Sequence, residues 1–441
     1  MKLLKNCSLI SDNQIINRDI LIDEDTIVEI AEKIKKQTGW EEIDIDYKFV
    51  LPGFIDFHVH LDDEINGVPI ADNYDSGTRV ALKSGITTLF SFITQRKGET
   101  LRDAVNRTHE KAKGNLWCDV GWHLTPTTFD DESHKIISEL IDEGFSTFKL
   151  YTTYKKAGIY SSYHEIEEFA KKYVNQQILI LVHCEDDDLI RSKAIKTNDT
   201  SLSNFVRVRS KTVELTAVNK ILRIARRTGA HFHIVHVSTA EAMKVINKLK
   251  YNNFVTCETC PQYLFLDNTN YSKLNGEQYI CTPPLRDKEN NAKLIEGFKL
   301  NYFNIIASDH CPFTQSQKMI GRRFYDKAPS GLSGLDFIPY LTSNLFERDF
   351  EKAKFLQQKL SAEPAHLTGL YPDKGAIMVN SIADLVVVDF DNEHSLAGRE
   401  GIYNPYSEIT TKLNISKVMK GGEFVVSDGE ILINNPKGNA L

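Results

Sequence analysis

Pro52-Gly53-Phe54-Ile55-Asp56-Phe57-His58-Val59-His60 is the stretch on which the fold turns. A proline and a glycine lead into an apolar run, and the run ends on two histidines one residue apart. Residues two apart on a strand point to the same face, so both imidazoles can reach one ion from the strand end. Taken alone, a His-x-His pair reads equally well as two polar residues on a half-exposed strand. The rest of the chain decides between these. Further apolar runs lie at 87–92, 120–124, 147–151, 178–182, 231–237, 254–257 and 304–307, each bordered by helical periodicity. One helix carries Leu215, Val218, Leu222 and Ala225 on a single face and stops at Gly229. A second starts with the capping-box spacing Ser162 to Glu165 and buries Ile166, Phe169, Ala170 and Tyr173; a third starts at Ser238 with Glu241 three residues on.

Eight strand–helix units predict an α/β fold, a (β/α)8 TIM barrel, whose usual size is roughly 250 residues before insertions. An open doubly wound sheet is the alternative, but no Gly-x-Gly-x-x-Gly follows a strand to support a dinucleotide fold. Outside this segment the texture changes. Leu3-Leu4, Ser8 to Ile10, Ile20 to Ile22 and Ile27-Val28 read as short strands around turns at Asp12-Asn13 and 23–25. Similar pieces return at 383–390, Val418 and 424–426, before the Ser427-Asp428-Gly429 turn. Neither end carries enough strand to bury a core alone. The termini are therefore expected to combine into one small β-sandwich, giving domains at 1–51, 52–373 and 374–441.

The chain has 441 residues, 41% hydrophobic and 26% charged, which is ordinary for a globular protein of one large α/β unit plus an appendage. A net charge of −7 argues against a nucleic-acid partner or a polybasic membrane role. Lys2, Lys5 and Asn6 interrupt the N-terminal apolar residues, so no signal peptide is read there, and no run reaches the roughly 20 residues that span a bilayer. Seven cysteines show no disulfide-framework spacing, and a reduced, cytoplasmic setting is expected.

In a TIM barrel the C-terminal strand ends carry the site. Here they read His58-Val59-His60, Lys149, His183, His236 and Asp309-His310. Singly, His183 and His236 are more simply satisfied buried histidines; each ends a separate apolar strand, which is harder to dismiss. His231 and His233 stay outside the site. Lys149, within Phe148-Lys149-Leu150-Tyr151, must be paired, depressed in pKa or modified. A salt bridge would explain it; so would reaction of a neutral amine with carbon dioxide, giving a carbamate able to bridge two metals. Asp309 can ligate a metal and accept a proton, or cap the following loop. Cys257-x-x-Cys260 has no partner motif and is taken as packing. Glu185-Asp186-Asp187-Asp188 is taken as a solvated acidic helix start.

As a set, 52–60 with Phe148-Lys149, His183, His236 and Asp309 resembles the cyclic amidohydrolases of the amidohydrolase superfamily, most closely the hydantoinase/dihydropyrimidinase group. Supporting stretches are 75–88, Glu258 to Leu264, Thr282 to Arg286 and Asp309 to Phe313. The resemblance runs over nearly the whole chain. It implies a TIM barrel with a composite sandwich, and metal-dependent opening of a hydantoin or dihydropyrimidine ring by a hydroxide bridging two ions. His58, His60 and Asp309 would hold the more buried ion and His183 and His236 the second, with carbamylated Lys149 (N6-carboxylysine) between them. Zinc fits the donors; manganese and cobalt are alternatives. Tyr154 would serve the oxyanion, Thr282 and Ser330 would offer backbone to the ring, and a homo-oligomer (dimer or tetramer) is implied. Two departures stand out. Pro329-Ser330-Gly331 has Ser where the family often has Asn, and Leu61-Asp62-Asp63-Glu64-Ile65 is acidic, which would admit a polar or cationic ring substituent. Allantoinase and dihydroorotase are the rivals, with Asp62 and Asp63 counting against a carboxylate-bearing ring. A metal-free scaffold relative and a mononuclear deaminase are weaker alternatives.

Overall fold

The structure, a computed structural model, describes residues 1–195, 199–249, 254–322 and 324–441. Eight parallel strands follow one another in chain order: Phe54–Val59, Ile86–Thr94, Asp119–Thr125, Thr147–Tyr151, Leu179–His183, His231–Ile234, Val255–Thr259 and Ile305–Ile306. The eighth reaches back to the first, where Val59 bridges His310 in parallel and the His60 N–H donates to the His310 carbonyl at 2.8 Å. The sheet is thus a nearly closed barrel of the TIM type, as expected. Its interior is filled: Ile55, Phe57, Phe90, Leu181, Val235, Ile305 and Ala307 form one buried cluster, with the His123 and His233 rings against Phe57.

Helices pack outside. Tyr163–Tyr173 has its capping box at Ser162 and Glu165 and buries Ile166, Phe169, Ala170 and Tyr173, as its spacing predicts. Lys211–Thr228 stops at Gly229, whose φ of +71° is easy only for glycine. Leu215 is only half-buried on it; Val213, Ala217 and Ile221 join Val218, Leu222 and Ala225 on the inner face, rotating that face from the expected one. The third helix begins later than expected, at Ala240, because Glu214 takes both the Ser238 N–H and hydroxyl. Thr239 Oγ1 accepts the Ala242 N–H instead.

A second, nine-stranded mixed sheet is built from both termini. Its seam is the antiparallel pairing of Leu385–Asp389 with Phe49–Pro52, in register Leu385 to Pro52. Asn414–Lys420, Glu423–Ser427 and Glu430–Ile431 extend it one way, and Lys2–Ser11, Gln14–Asp23 and Thr26–Ala31 the other. Only Gly53 separates Pro52 from the first barrel strand, so the seam fixes where the barrel starts. Among the described residues no helix is long and apolar enough to cross a membrane.

Candidate active site

The first strand does not alternate strictly. Ile55 and Phe57 fill the interior, so a regular pleat would turn His58 outward. Asp56 pairs with Leu89 and Val59 with Ser91, so the first strand carries one extra residue over that interval. Such a bulge re-aims the strand end. His58 and His60 now sit with ring centroids 5.4 Å apart, both against Phe92 at 4.8 and 4.5 Å. Asp309 comes from beyond the eighth strand, its φ of +50° in the left-handed region that non-glycine residues rarely adopt. Its Oδ1 lies 3.3 Å from His58 Nε2 and 3.6 Å from His60 Nε2. One ligand atom of each residue can be chosen so that all lie within 4.8 Å of one another, the single cluster of this kind among the described residues.

His183 and His236 lie beside this triad. Their rings are 4.5 Å apart, and His236 is 5.4 Å from His58. His236 also has a positive φ, +37°. Burial, with further contributions from Lys149 and neighbouring imidazoles, pushes His58 and His236 well below the ordinary histidine range. Burial likewise lowers His183, against the hydrogen bond and charge of Glu185. All three are neutral imidazoles at neutral pH, the form that ligates metals. His236 Nδ1 is buried with no hydrogen-bond partner in the protein, an orphan that a cation at this place would fit.

Lys149 is 1% exposed on the fourth strand. It makes no ion pair among the described residues; its Nζ lies 5.2 Å from the centroids of both Phe92 and Tyr151. Burial pushes its ammonium down to about 8, so a sizeable fraction is free amine in mildly alkaline solution. The salt-bridge explanation of this lysine therefore fails. Tyr154, at φ +71°, lies over His183 with ring centroids 5.2 Å apart and donates its hydroxyl hydrogen bond to Thr282 Oγ1 at 2.9 Å. Burial pushes that phenol up to about 12, so it stays a donor. Ser330 is half-buried on a segment tied to the Thr282 segment through the Gly331 N–H to Ile280 carbonyl bond, 3.1 Å.

A family model described as Amidohydrolase family matches residues 49–425. The D-hydantoinase of Streptomyces coelicolor is 31% identical over 431 residues, covering 94% of this chain and 92% of that protein. This chain belongs to the amidohydrolase family. It lies in the hydantoinase/dihydropyrimidinase group and is a hydrolase. The D-hydantoinase of Geobacillus stearothermophilus is also 31% identical, over 450 residues, covering 98% of this chain and 94% of its own. The crystal structure of dihydropyrimidinase from Brevibacillus agri superposes with a TM-score of 0.92 at 29% identity, covering 100% of this chain and 98% of that one.

Around the candidate ligands the amidohydrolase has a polar layer that strand-end reasoning missed. Glu258, on the seventh strand, accepts from His58 Nδ1 at 2.5 Å and the His236 N–H at 3.2 Å, and contacts His233 Nε2 at 3.2 Å. The rule that singled out Lys149, an ionisable side chain in an apolar strand, applies to Glu258 equally. The acidic run is the larger correction. Glu185, Asp186 and Asp187 are buried, and only Asp188 is solvated. Glu185 bonds His183 Nε2 at 2.9 Å and the Arg209 guanidinium, which lies 5.2 Å over the Tyr154 ring; Lys220 and Tyr163 hold Asp186. The acidic loop after His60 is no free negative patch either. Asp62 pairs with Lys111 at 2.9 Å, and Asp63 lies 3.8 Å from Arg96. Cys257 and Cys260 are buried, in keeping with packing roles.

Proposed function

We propose that this amidohydrolase cleaves the endocyclic C–N amide bond of a hydantoin or dihydropyrimidine ring. The observation that supports this most is the gathering of neutral imidazoles, one carboxylate and an unpaired buried lysine at a single barrel mouth. In this reading His58, His60 and Asp309 hold the more buried of two divalent ions, and His183 and His236 hold the second. Lys149 serves both as a carbamate: its free amine forms an N–C bond to carbon dioxide, a C=O electron pair moves to oxygen, and one proton leaves the nitrogen. The side chain would then end in a carboxylate able to help hold both ions.

The bound ions, zinc by donor type, supply a Lewis acid and a water acidified toward neutrality. Asp309 accepts the proton of the attacking water and returns it to the departing ring nitrogen. Tyr154 donates to the carbonyl oxygen as negative charge grows there. Backbone groups at Thr282 and Ser330 hold the ring amide in line. The same reading divides the chain at 1–51, 52–373 and 374–441 and takes the assembly as a homo-oligomer.

The test is ring opening of hydantoin, dihydrouracil, allantoin and dihydroorotate by metal-replete enzyme, followed by chromatography of the opened acids. Hydantoin or dihydrouracil is expected to turn over fastest. Preference for allantoin or dihydroorotate would reassign the substrate, and no ring opening at all would remove the proposal.

A further inference from the structure

A second buried lysine lies outside the set assigned above. Lys318 ends the short helix Gln315–Lys318 and is 1% exposed. Its Nζ donates to three backbone carbonyls: Ile280 at 2.6 Å, Pro329 at 3.0 Å and Gly331 at 2.9 Å. An ammonium has three N–H donors, so each finds an acceptor and none is spare. No carboxylate pairs with it among the described residues. The titratable groups facing it are the Cys281 and Cys311 thiols, both pushed up by burial and hence neutral, and the Phe313 ring lies 5.8 Å away. Burial pushes the Lys318 ammonium down to about 8.

Those three carbonyls belong to the two segments that carry Thr282 and Ser330. The segments are tied together at one further point, the Gly331 N–H to Ile280 carbonyl bond. They also have little slack: Gly331 has φ +153°, and a Cβ there would lie 2.5 Å from the Cys311 carbonyl oxygen. On the 280–282 side, Thr282 Oγ1 accepts the Tyr154 hydroxyl. A buried charge balanced only by carbonyl dipoles is costly to keep for packing alone.

We propose that Lys318 is a positioning residue, whose ammonium sets the spacing of the 280–282 and 329–331 segments and so of the backbone groups that grip the ring amide. This rests on the reading of Thr282 and Ser330 as substrate contacts. A lysine serving stability alone would leave substrate binding untouched in a folded variant. A positioning lysine shows in KM, because small displacements of binding groups cost affinity and alignment steeply. It also has a pH signature. The neutral amine keeps only two N–H donors, so above about pH 8 one carbonyl loses its Lys318 donor.

The experiment uses full-length, metal-replete Lys318→Met and Lys318→Gln, with metal content, thermal unfolding, and kcat and KM on the best ring of the panel across pH. Lys318→Met should fold with wild-type metal content, with KM raised about tenfold or more and kcat within about threefold. Lys318→Gln, which keeps two donors, should fall between. Wild-type KM should climb above about pH 8, and that climb should vanish in Lys318→Met. Unchanged KM in either folded variant overturns the inference. If neither variant folds, a wild-type KM that stays flat through pH 8 overturns it, as does a climb that tracks loss of metal, and a climb at unchanged metal content supports it. Wild-type enzyme that opens none of the rings overturns the functional reading, and this inference with it.

Discussion

Glu258→Gln isolates what one carboxylate does for the candidate metal ligands. Glu258 is fully buried, and its oxygens engage His58 Nδ1, the His236 N–H and His233 Nε2. Burial alone would push this carboxyl up; the bond and charge of His233, with Lys149 and His236, outweigh that and hold it below the ordinary range. Glutamine can keep its carbonyl oxygen toward His58 and His236 and turn its amide NH2 toward His233. His233 can change tautomer to accept, because its other nitrogen meets a Thr256 hydroxyl that either donates or accepts. No polar group is then stranded, so the fold survives. What is lost is the charge on the bond to His58. Charge-assisted bonds contribute about 1.5–3 kcal/mol and neutral ones about 0.5–1.5, a difference of roughly 1–1.5 kcal/mol, or about tenfold in ion affinity. Glu258→Ala would instead strand three buried donors at about 1–3 kcal/mol each. The assay is chelator competition for the tighter ion, alongside thermal unfolding of metal-free protein. Glu258→Gln should unfold close to wild type yet bind the ion about tenfold more weakly. Wild-type affinity in that variant would refute the orientation of His58 by Glu258.

Tyr154→Phe removes the donor now resting on Thr282; kcat should fall about 10²-fold or more with metal content unchanged. Lys149→Ala should lose the second ion and nearly all activity, measured by metal analysis and turnover; full activity with full metal content would sink the two-ion reading. Lys374 bridges buried Asp119 at 2.8 Å and Asp384 at 2.5 Å beneath the barrel, so Lys374→Met should cost about 3–5 kcal/mol by leaving buried Asp384 without its cation and Asp119 with Lys420 alone. Burial raises the Asp119 pKa, but Lys374 and Lys420 outweigh it and depress the folded value. The stability this contributes is present above the unfolded carboxylate pKa, about 4, and is lost as pH falls through the folded value. The Lys374→Met deficit should therefore be full at pH 7 and shrink below about pH 4, read from unfolding midpoints at the two pH values.

The sequence by itself determined the barrel and the sheet shared by the termini. Each strand is an apolar run whose burial needs no knowledge of its partner, and helix ends such as Ser162 and Gly229 are written locally in cap residues. It also determined the list of candidate ligands, because polar side chains that end apolar strands of a barrel must gather at one mouth. Where it failed, the deciding partner was distant in the chain. The run 185–187 reads as a solvated helix start until Arg209, Lys220 and Tyr163 arrive to pair it. The extra residue between Asp56 and Val59 shows only against Leu89 and Ser91, yet it turns His58 toward the site. Lys318 carries no local signature, and Glu258, though legible as an ionisable group in an apolar strand, does not name its partner there; their roles come from His58 200 residues away and from carbonyls 11 to 38 residues away. Tertiary structure alone decided these points, because the cost of a buried polar group depends on which groups meet it, and chain neighbours do not supply them.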